Sequence, residues 1–220
     1  SPIQPHAFFF IPPLQDNYWG HIMEELWKSR IYDPYLPFRK EGSIALDIGA
    51  NVGLVSYYLS QNFEKVISLE PSVEHFTLLT KMLEFNQITN VTPIQKALYI
   101  KEGKYPFFHN KNKTMYSLHM AVKDDSSPNE MVDAITLDQL FEQEKIDHVN
   151  LLKMDIEGSE VEVFSGEGFR KVANKIDTII TERHAWSGRH SNQLNEALKN
   201  NGFTIEQIPN SADLVVAKRK

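Results

Sequence analysis

A carboxylate, an asparagine and two glycines fall within one short stretch, Asp47-Ile48-Gly49-Ala50-Asn51-Val52-Gly53. A glycine-rich turn that leads from a strand into a helix lets the backbone approach a ligand and aims free N–H groups at it. A dinucleotide site would show G-x-G-x-x-G. Here the glycines are spaced differently, and Asp47 precedes the first of them by two positions. An acid at that point suits a cationic ligand group better than a pyrophosphate. S-adenosylmethionine carries a sulfonium and an ammonium and no phosphate, so electrostatics favours it over a dinucleotide. Glu70, followed by Pro71, lies 23 residues after Asp47 at the end of the next apolar run. A carboxylate there can accept hydrogen bonds from both hydroxyls of a ribose, a role shared with nicotinamide-dependent enzymes. Gly49 and Gly53 would also serve tight strand-to-helix packing alone, with Asp47 capping the turn.

A second group of residues could move a proton. Asp155 closes the apolar run that begins at Val149, with Glu157 two residues on and Gly158 permitting a tight turn. Asp155 is the first candidate for the active-site acid, although an Asp before a helix is also a favoured cap. Glu182 and His184 follow the run 176–181. If the chain stays extended, alternation puts them on one side, with His184 as general base and Glu182 as its orienting partner. The same pair could simply brace a loop. Asp155, Glu157, Glu182, His184 and His190 could also hold a hard divalent ion, but the motifs are explained without one and no metal is expected.

These residues need a scaffold, and the hydropathy pattern supplies it. Apolar runs at 43–48, 66–69, 91–95, 149–155 and 176–181 read as buried strands, with helical spacing over 76–86 and from Ser159 to about Val172. Strands that alternate with helices argue for a parallel sheet covered on both faces, with the ligand crevice at the strands' carboxyl ends. Phe203 to Ile208 and Leu214 to Ala217, joined by Pro209-Asn210-Ser211-Ala212, read as a closing hairpin. Residues 1–40 form an N-terminal cap segment, with a helix that starts at Asp16 and carries Trp19, Ile22, Met23, Leu26 and Trp27 at helical spacing. Its aromatics are expected to pack rather than to form a lid. Residues 41–220 form the main domain, with an inserted hairpin or loop at about 99–136.

The composition excludes several classes. With 220 residues the chain is long enough for one full core. A net charge of −6 offers no basic field for nucleic acid. The absence of cysteine excludes disulfides, thiolate metal sites and a thiol nucleophile, and fits a cytoplasmic enzyme. The early apolar run 7–11 stops at Pro12 and Pro13, so no membrane span is expected there.

Taken together, Leu46-Asp47-Ile48-Gly49-Ala50-Asn51-Val52-Gly53, Leu69-Glu70-Pro71-Ser72 and Leu152-Lys153-Met154-Asp155-Ile156-Glu157-Gly158-Ser159-Glu160 resemble the FkbM family of S-adenosylmethionine-dependent methyltransferases. The likeness runs from about Gly42 to about His184 and includes Asp133-Ala134-Ile135-Thr136-Leu137-Asp138. It implies an α/β, Rossmann-like class I methyltransferase fold with a mostly parallel seven-stranded sheet, an antiparallel last strand and helices on both faces. It further implies that Asp47, Gly49, Ala50, Asn51 and Gly53 surround the methionine part of S-adenosylmethionine, that Glu70 and Pro71 hold the ribose, and that the backbone at Ala97 and Leu98 borders the adenine. Asp155 would border the cofactor as well as the acceptor. The acceptor implied is a hydroxyl on a sugar, a glycan or another small polyol. A cofactor-binding module without catalysis stays open as an alternative. A nicotinamide-dependent oxidoreductase is disfavoured by the glycine spacing and by the lack of a Tyr-x-x-x-Lys pair.

Overall fold

In the computed structural model, residues 7–10, 18–109, 116–118, 130–184, 191–207 and 213–219 are described. The first element, α1 (Tyr18–Met23), runs into a π-helical turn, Glu24–Lys28, and thus covers most of the expected N-terminal helix. Asp16, expected to cap it, lies outside the described residues. Next come β1 (Ile44–Ile48), α2 (Leu54–Ser60), β2 (Lys65–Leu69), α3 (Val73–Phe85) and β3 (Val91–Ile94). After these the chain leaves the main sheet for β4 (Ala97–Leu98), β5 (Gly103–His109), β6 (Tyr116–Ser117) and β7 (Glu130–Ile135). It returns through α4 (Leu137–Gln143), β8 (Val149–Met154), α5 (Glu160–Ser165), α6 (Glu167–Val172) and β9 (Ile176–Glu182). The chain closes with α7 (Ser191–Asn200), β10 (Phe203–Gln207) and β11 (Leu214–Arg219).

The main sheet has seven strands in the order β10-β11-β9-β8-β1-β2-β3. All are parallel except β11, the last in sequence, which pairs antiparallel with both β9 and β10. From β1 the chain winds outward to β3 and later resumes on the other side at β8, so β1 and β8 flank the point where the winding reverses. A ligand crevice is expected outside the carboxyl ends of those strands.

Strand alternation separates two cores. Leu46 and Ile48 of β1 join Leu152 and Met154 of β8 beneath α4, α5, α6 and α7. Ala45 faces the other way with Val66, Leu151 and Ile180, and packs with α2, α3 and the N-terminal segment. Leu26 and Tyr32 are buried in that second core, and Trp27 sets its ring edge-on to Tyr58 at 6.1 Å. Trp27 therefore packs rather than covering the crevice. The side chains of Tyr18 and Trp19 lie outside the described residues.

The structure departs from the sequence pattern in two places. The helix expected from Ser159 to Val172 is two helices, because Gly166 takes an extended ψ of 160° and breaks the ladder. The inserted hairpin is a four-stranded sheet, order β4-β7-β5-β6, in which β5 and β7 form the expected antiparallel pair and β4 adds in parallel. At its exit, Thr136 starts α4 with a reciprocal capping box to Gln139. The residues linking β10 and β11, 208–212, lie outside the described set. No described helix is long and apolar enough to cross a membrane.

Candidate active site

The carboxyl ends of β1, β2, β8 and β9 open into a cleft of about 260 Å3. Its walls include Gly49, Ala50, Asn51, Glu70, Pro71, Ala97, Leu98 and Asp155, all expected from the sequence as cofactor contacts. Asp47 and Gly53, expected beside them, do not line it, and the packing shows why.

Asp47 stands in register with Ser68 of β2 on one side and Lys153 of β8 on the other. Directly opposed residues on one sheet face are neighbours, and the contacts follow. Ser56 of α2 donates to Asp47 Oδ2 at 2.6 Å and lies 2.9 Å from the Ser68 hydroxyl, while Lys153 Nζ comes within 3.4 Å of Asp47 Oδ1. Asp47 is completely buried and committed to this network. It thus backs the turn from below the cleft wall. Gly53, at φ +92°, starts α2 where a Cβ would come 2.4 Å from Met82 and 2.6 Å from Leu79 of α3, so it serves helix packing.

Gly49 has φ +77°, and a Cβ there would lie 1.9 Å from the carbonyl oxygen of Asp155. The end of β1 and the end of β8 can meet only through a residue without a side chain. Lys153 Nζ donates to the Gly49 carbonyl at 2.9 Å and lies 3.8 Å from Asp155 Oδ2, tying the turn to the end of β8. Burial disfavours its charge, but Asp47 and Asp155 outweigh this and hold its pKa above the ordinary lysine value. Sequence reasoning assigned Lys153 no role. Its signal was a lone charge inside the apolar strand Leu151-Leu152-Lys153-Met154.

Glu70 is 4% exposed, and its two oxygens accept N–H groups from Asn51 at 2.8 Å and Ser72 at 2.9 Å. Each oxygen retains a lone pair toward the cleft. Burial pushes the carboxyl up to about 7, against the pull of those two N–H groups and Lys153. The ionised form offers both oxygens as acceptors to ribose hydroxyls, whereas protonation turns one of them into a donor and weakens the pair. S-adenosylmethionine affinity is therefore expected to fall as pH drops below 7, by up to about tenfold per unit. Titrations from pH 8 down to 5.5 check this, and a Glu70→Gln protein should show a weaker but flat profile.

The proton-moving candidates are arranged differently from the sequence expectation. β9 ends at Glu182, and extended pairing does not continue to His184. Glu182 lines the cleft, and the nearby His184 charge pulls its pKa down against burial. His184, 7% exposed in its side chain, lies behind the wall with Nδ1 3.0 Å from Glu160 Oε1 and Nε2 3.3 Å from Glu157 and 3.6 Å from Asp155. Glu160, which the sequence reading did not single out, thus stands against one ring nitrogen. Burial alone would lower the imidazole pKa, but Glu160, Glu157 and Asp155 raise it to about 10. These carboxylates hold His184 behind the cleft wall, away from the strand-end position in which it was expected to face an acceptor beside Glu182. Glu182 is pushed to about 7 by burial and the Asp155 charge, and Glu157 is raised for the same two reasons. His190 lies outside the described residues.

The N-terminal segment closes one side of the cleft with Ile22, Glu25 and Tyr32. The Tyr32 hydroxyl stays protonated, because burial and the surrounding carboxylates of Asp47, Asp155, Glu25 and Glu182 push its pKa well up. No local motif marks Tyr32 or Glu25.

The FkbM methyltransferase domain model matches residues 47–205 of this chain. Methyltransferase sdnD of Sordaria araneosa is 24% identical over 90% of this chain and 89% of its own length. Hexuronic acid methyltransferase AglP of Haloferax volcanii is 23% identical over 90% of this chain and 82% of its own. Among solved structures, methyltransferase FkbM from Methylobacillus flagellatus KT superposes with a TM-score of 0.56 at 17% identity over 93% of this chain. The present chain spans 56% of that protein's length. A putative methyltransferase from Streptococcus mutans in complex with SAH superposes with a TM-score of 0.51 at 12% identity, over 88% of this chain and 96% of that one. These likenesses establish a class I methyltransferase fold.

Proposed function

Because the chain belongs to the FkbM methyltransferase family, we propose that it methylates a hydroxyl oxygen of a sugar, a glycan or another small polyol, using S-adenosylmethionine. The observation that carries this reading is the division of the cleft into two chemistries. Its lining combines a buried ribose-type carboxylate and a glycine turn with the carboxylates of Asp155, Glu157 and Glu182.

The residues present fit the cofactor. Gly49 allows the backbone to approach, Glu70 faces the cleft between two amide donors, and Asn51 carries a buried Oδ1 without a hydrogen-bond partner, suited to an ammonium. Bound there, S-adenosylmethionine supplies a methyl carbon activated by its sulfonium: the S–CH3 bond breaks as the O–CH3 bond forms. The protein aligns the acceptor, excludes water and takes the hydroxyl proton. Glu182 is the group best placed to receive it, since it faces the cleft and its pKa lies near the working pH. Asp155, with Lys153 on one side and His184 on the other, lines the cleft beside it. A sugar acceptor is also supported by the relative that acts on a hexuronic acid.

Calorimetric titration with S-adenosylmethionine, S-adenosylhomocysteine and NADH side by side tests the cofactor. Binding of the two sulfur nucleotides alone is the expected result, followed by turnover in a screen of sugars and polyols. NADH binding alone would return Glu70 to a dinucleotide site. Tight sulfur-nucleotide binding without turnover of any acceptor would favour a binding module.

A further inference from the structure

We propose that Asp155, Glu157 and His184 form a binding site for a divalent cation of the Mn2+ or Mg2+ type, placed to hold the acceptor's oxygens beside the transferring methyl group. Strands β8 and β9 pair in parallel, Met154 opposite Thr181, so the residues just beyond their ends are neighbours. One ligand atom from each of the three side chains falls within 4.8 Å of the others. His184 Nε2 points into this group, 3.3 Å from Glu157 Oε2 and 3.6 Å from Asp155 Oδ1.

Two independent features favour a cation over a simple ion-pair cluster. The first is the backing of the histidine. Glu160 Oε1 stands 3.0 Å from His184 Nδ1, and the Glu160 carboxylate is itself fixed by the N–H groups of Ile156 at 2.8 Å and Gly158 at 2.9 Å. A carboxylate thus stands behind the far nitrogen, the place that outer partners take behind metal-binding histidines. The second is unsatisfied polarity on the cleft side. Asp155 Oδ1 is buried without a hydrogen-bond partner. So is the hydroxyl of Ser159, a residue 1% exposed that lines the cleft with Asp155 and Glu157.

One imidazole nitrogen and two carboxylate oxygens, with no thiolate, suit a hard or borderline ion that prefers six ligands. Three protein ligands leave positions open toward the cleft, because Asp155 and Glu157 line it while His184 stands behind. Two adjacent oxygens of the acceptor fit there: a vicinal diol, or a hydroxyl next to a carboxylate. The ion would polarise the reacting hydroxyl, whose proton passes to Glu182. This inference rests on the proposed methyl transfer for its chemistry but not for its ligand set.

The test titrates Mn2+ into the chelator-treated full chain and follows the loss of the free-ion electron paramagnetic resonance signal. It is repeated with His184→Asn and Glu157→Gln proteins, each also titrated with S-adenosylhomocysteine as a control for folding. Expected are one Mn2+ per wild-type chain, competition by Mg2+, and binding weakened about 10–100-fold in each variant. In the wild type, spin-echo modulation should show a nitrogen coupled to the bound Mn2+, which reads the imidazole directly even if a variant fails to fold. Wild-type protein that binds S-adenosylhomocysteine but no Mn2+ would overturn the cation site and leave methyl transfer standing. Mn2+ binding without nitrogen coupling, or unchanged in both variants, would overturn it as well. Specific Mn2+ binding without affinity for either sulfur nucleotide would uphold the cation site while removing the methyltransferase reading.

Discussion

Replacing Lys153 with methionine is expected to destabilise the folded protein by about 3–5 kcal/mol, the cost of stripping a buried charge of its partner. The side chain is 7% exposed and touches three acceptors: the Asp47 and Asp155 carboxylates and the Gly49 carbonyl. Methionine fills a similar volume, so the loss is electrostatic rather than a cavity. Asp47 suffers most, because it is completely buried and left with the Ser56 hydroxyl alone. Thermal unfolding should show the midpoint falling by about 6–20 °C for a chain of this size. Adding Asp47→Asn to the variant removes the stranded charge and should recover part of the loss, which a double-mutant cycle measures. A midpoint lowered by the methionine and lowered equally further by the asparagine would show that the two groups do not interact.

Replacing Glu182 with glutamine is expected to lower turnover about 100- to 10,000-fold, the usual contribution of a positioned proton acceptor. Affinity for S-adenosylhomocysteine should be retained, because the cofactor-side contacts lie with the glycine turn and Glu70. The pH profile separates proton transfer from mere shape. In the wild type, turnover should rise through about pH 7 as the raised Glu182 carboxyl ionises, and this limb should vanish in the glutamine variant. Turnover unchanged by the substitution would move the base to Asp155 or Glu157, the neighbouring carboxylates that line the cleft.

Much of this site was legible without coordinates. The turn from Asp47 to Gly53 and the placement of Glu70 after β2 depend on residues close in sequence. The torsions of Gly49, Asn51 and Gly53 are all positive, which few residue types accept. The crevice at the strand ends followed from alternating strands and helices, and the closing antiparallel pair from its own short hairpin pattern. The pairing of Glu182 with His184 did not follow in this way. It required the extended conformation to persist past Glu182, whereas the chain leaves the strand there and the imidazole settles among charges on α5 and the turn before it.

The sequence by itself thus determined the backbone frame: which segments are strands, where the turns bend, and which carboxylate follows β2 into the cleft. Those outcomes rest on torsional preference, hydrophobic period and spacing, all local quantities. Only the tertiary structure decided how the charges are shared. The register of β1 against β8 sets Lys153 beside Asp47, and the approach of Gly49 to Asp155 lets the same lysine reach the turn. The nearness of α5 to the end of β9 brings His184 beside Glu160, and the path of the N-terminal segment brings Tyr32 and Glu25 to the cleft. Charge pairing and burial depend on distances through space between residues far apart in the chain, and no local pattern encodes them.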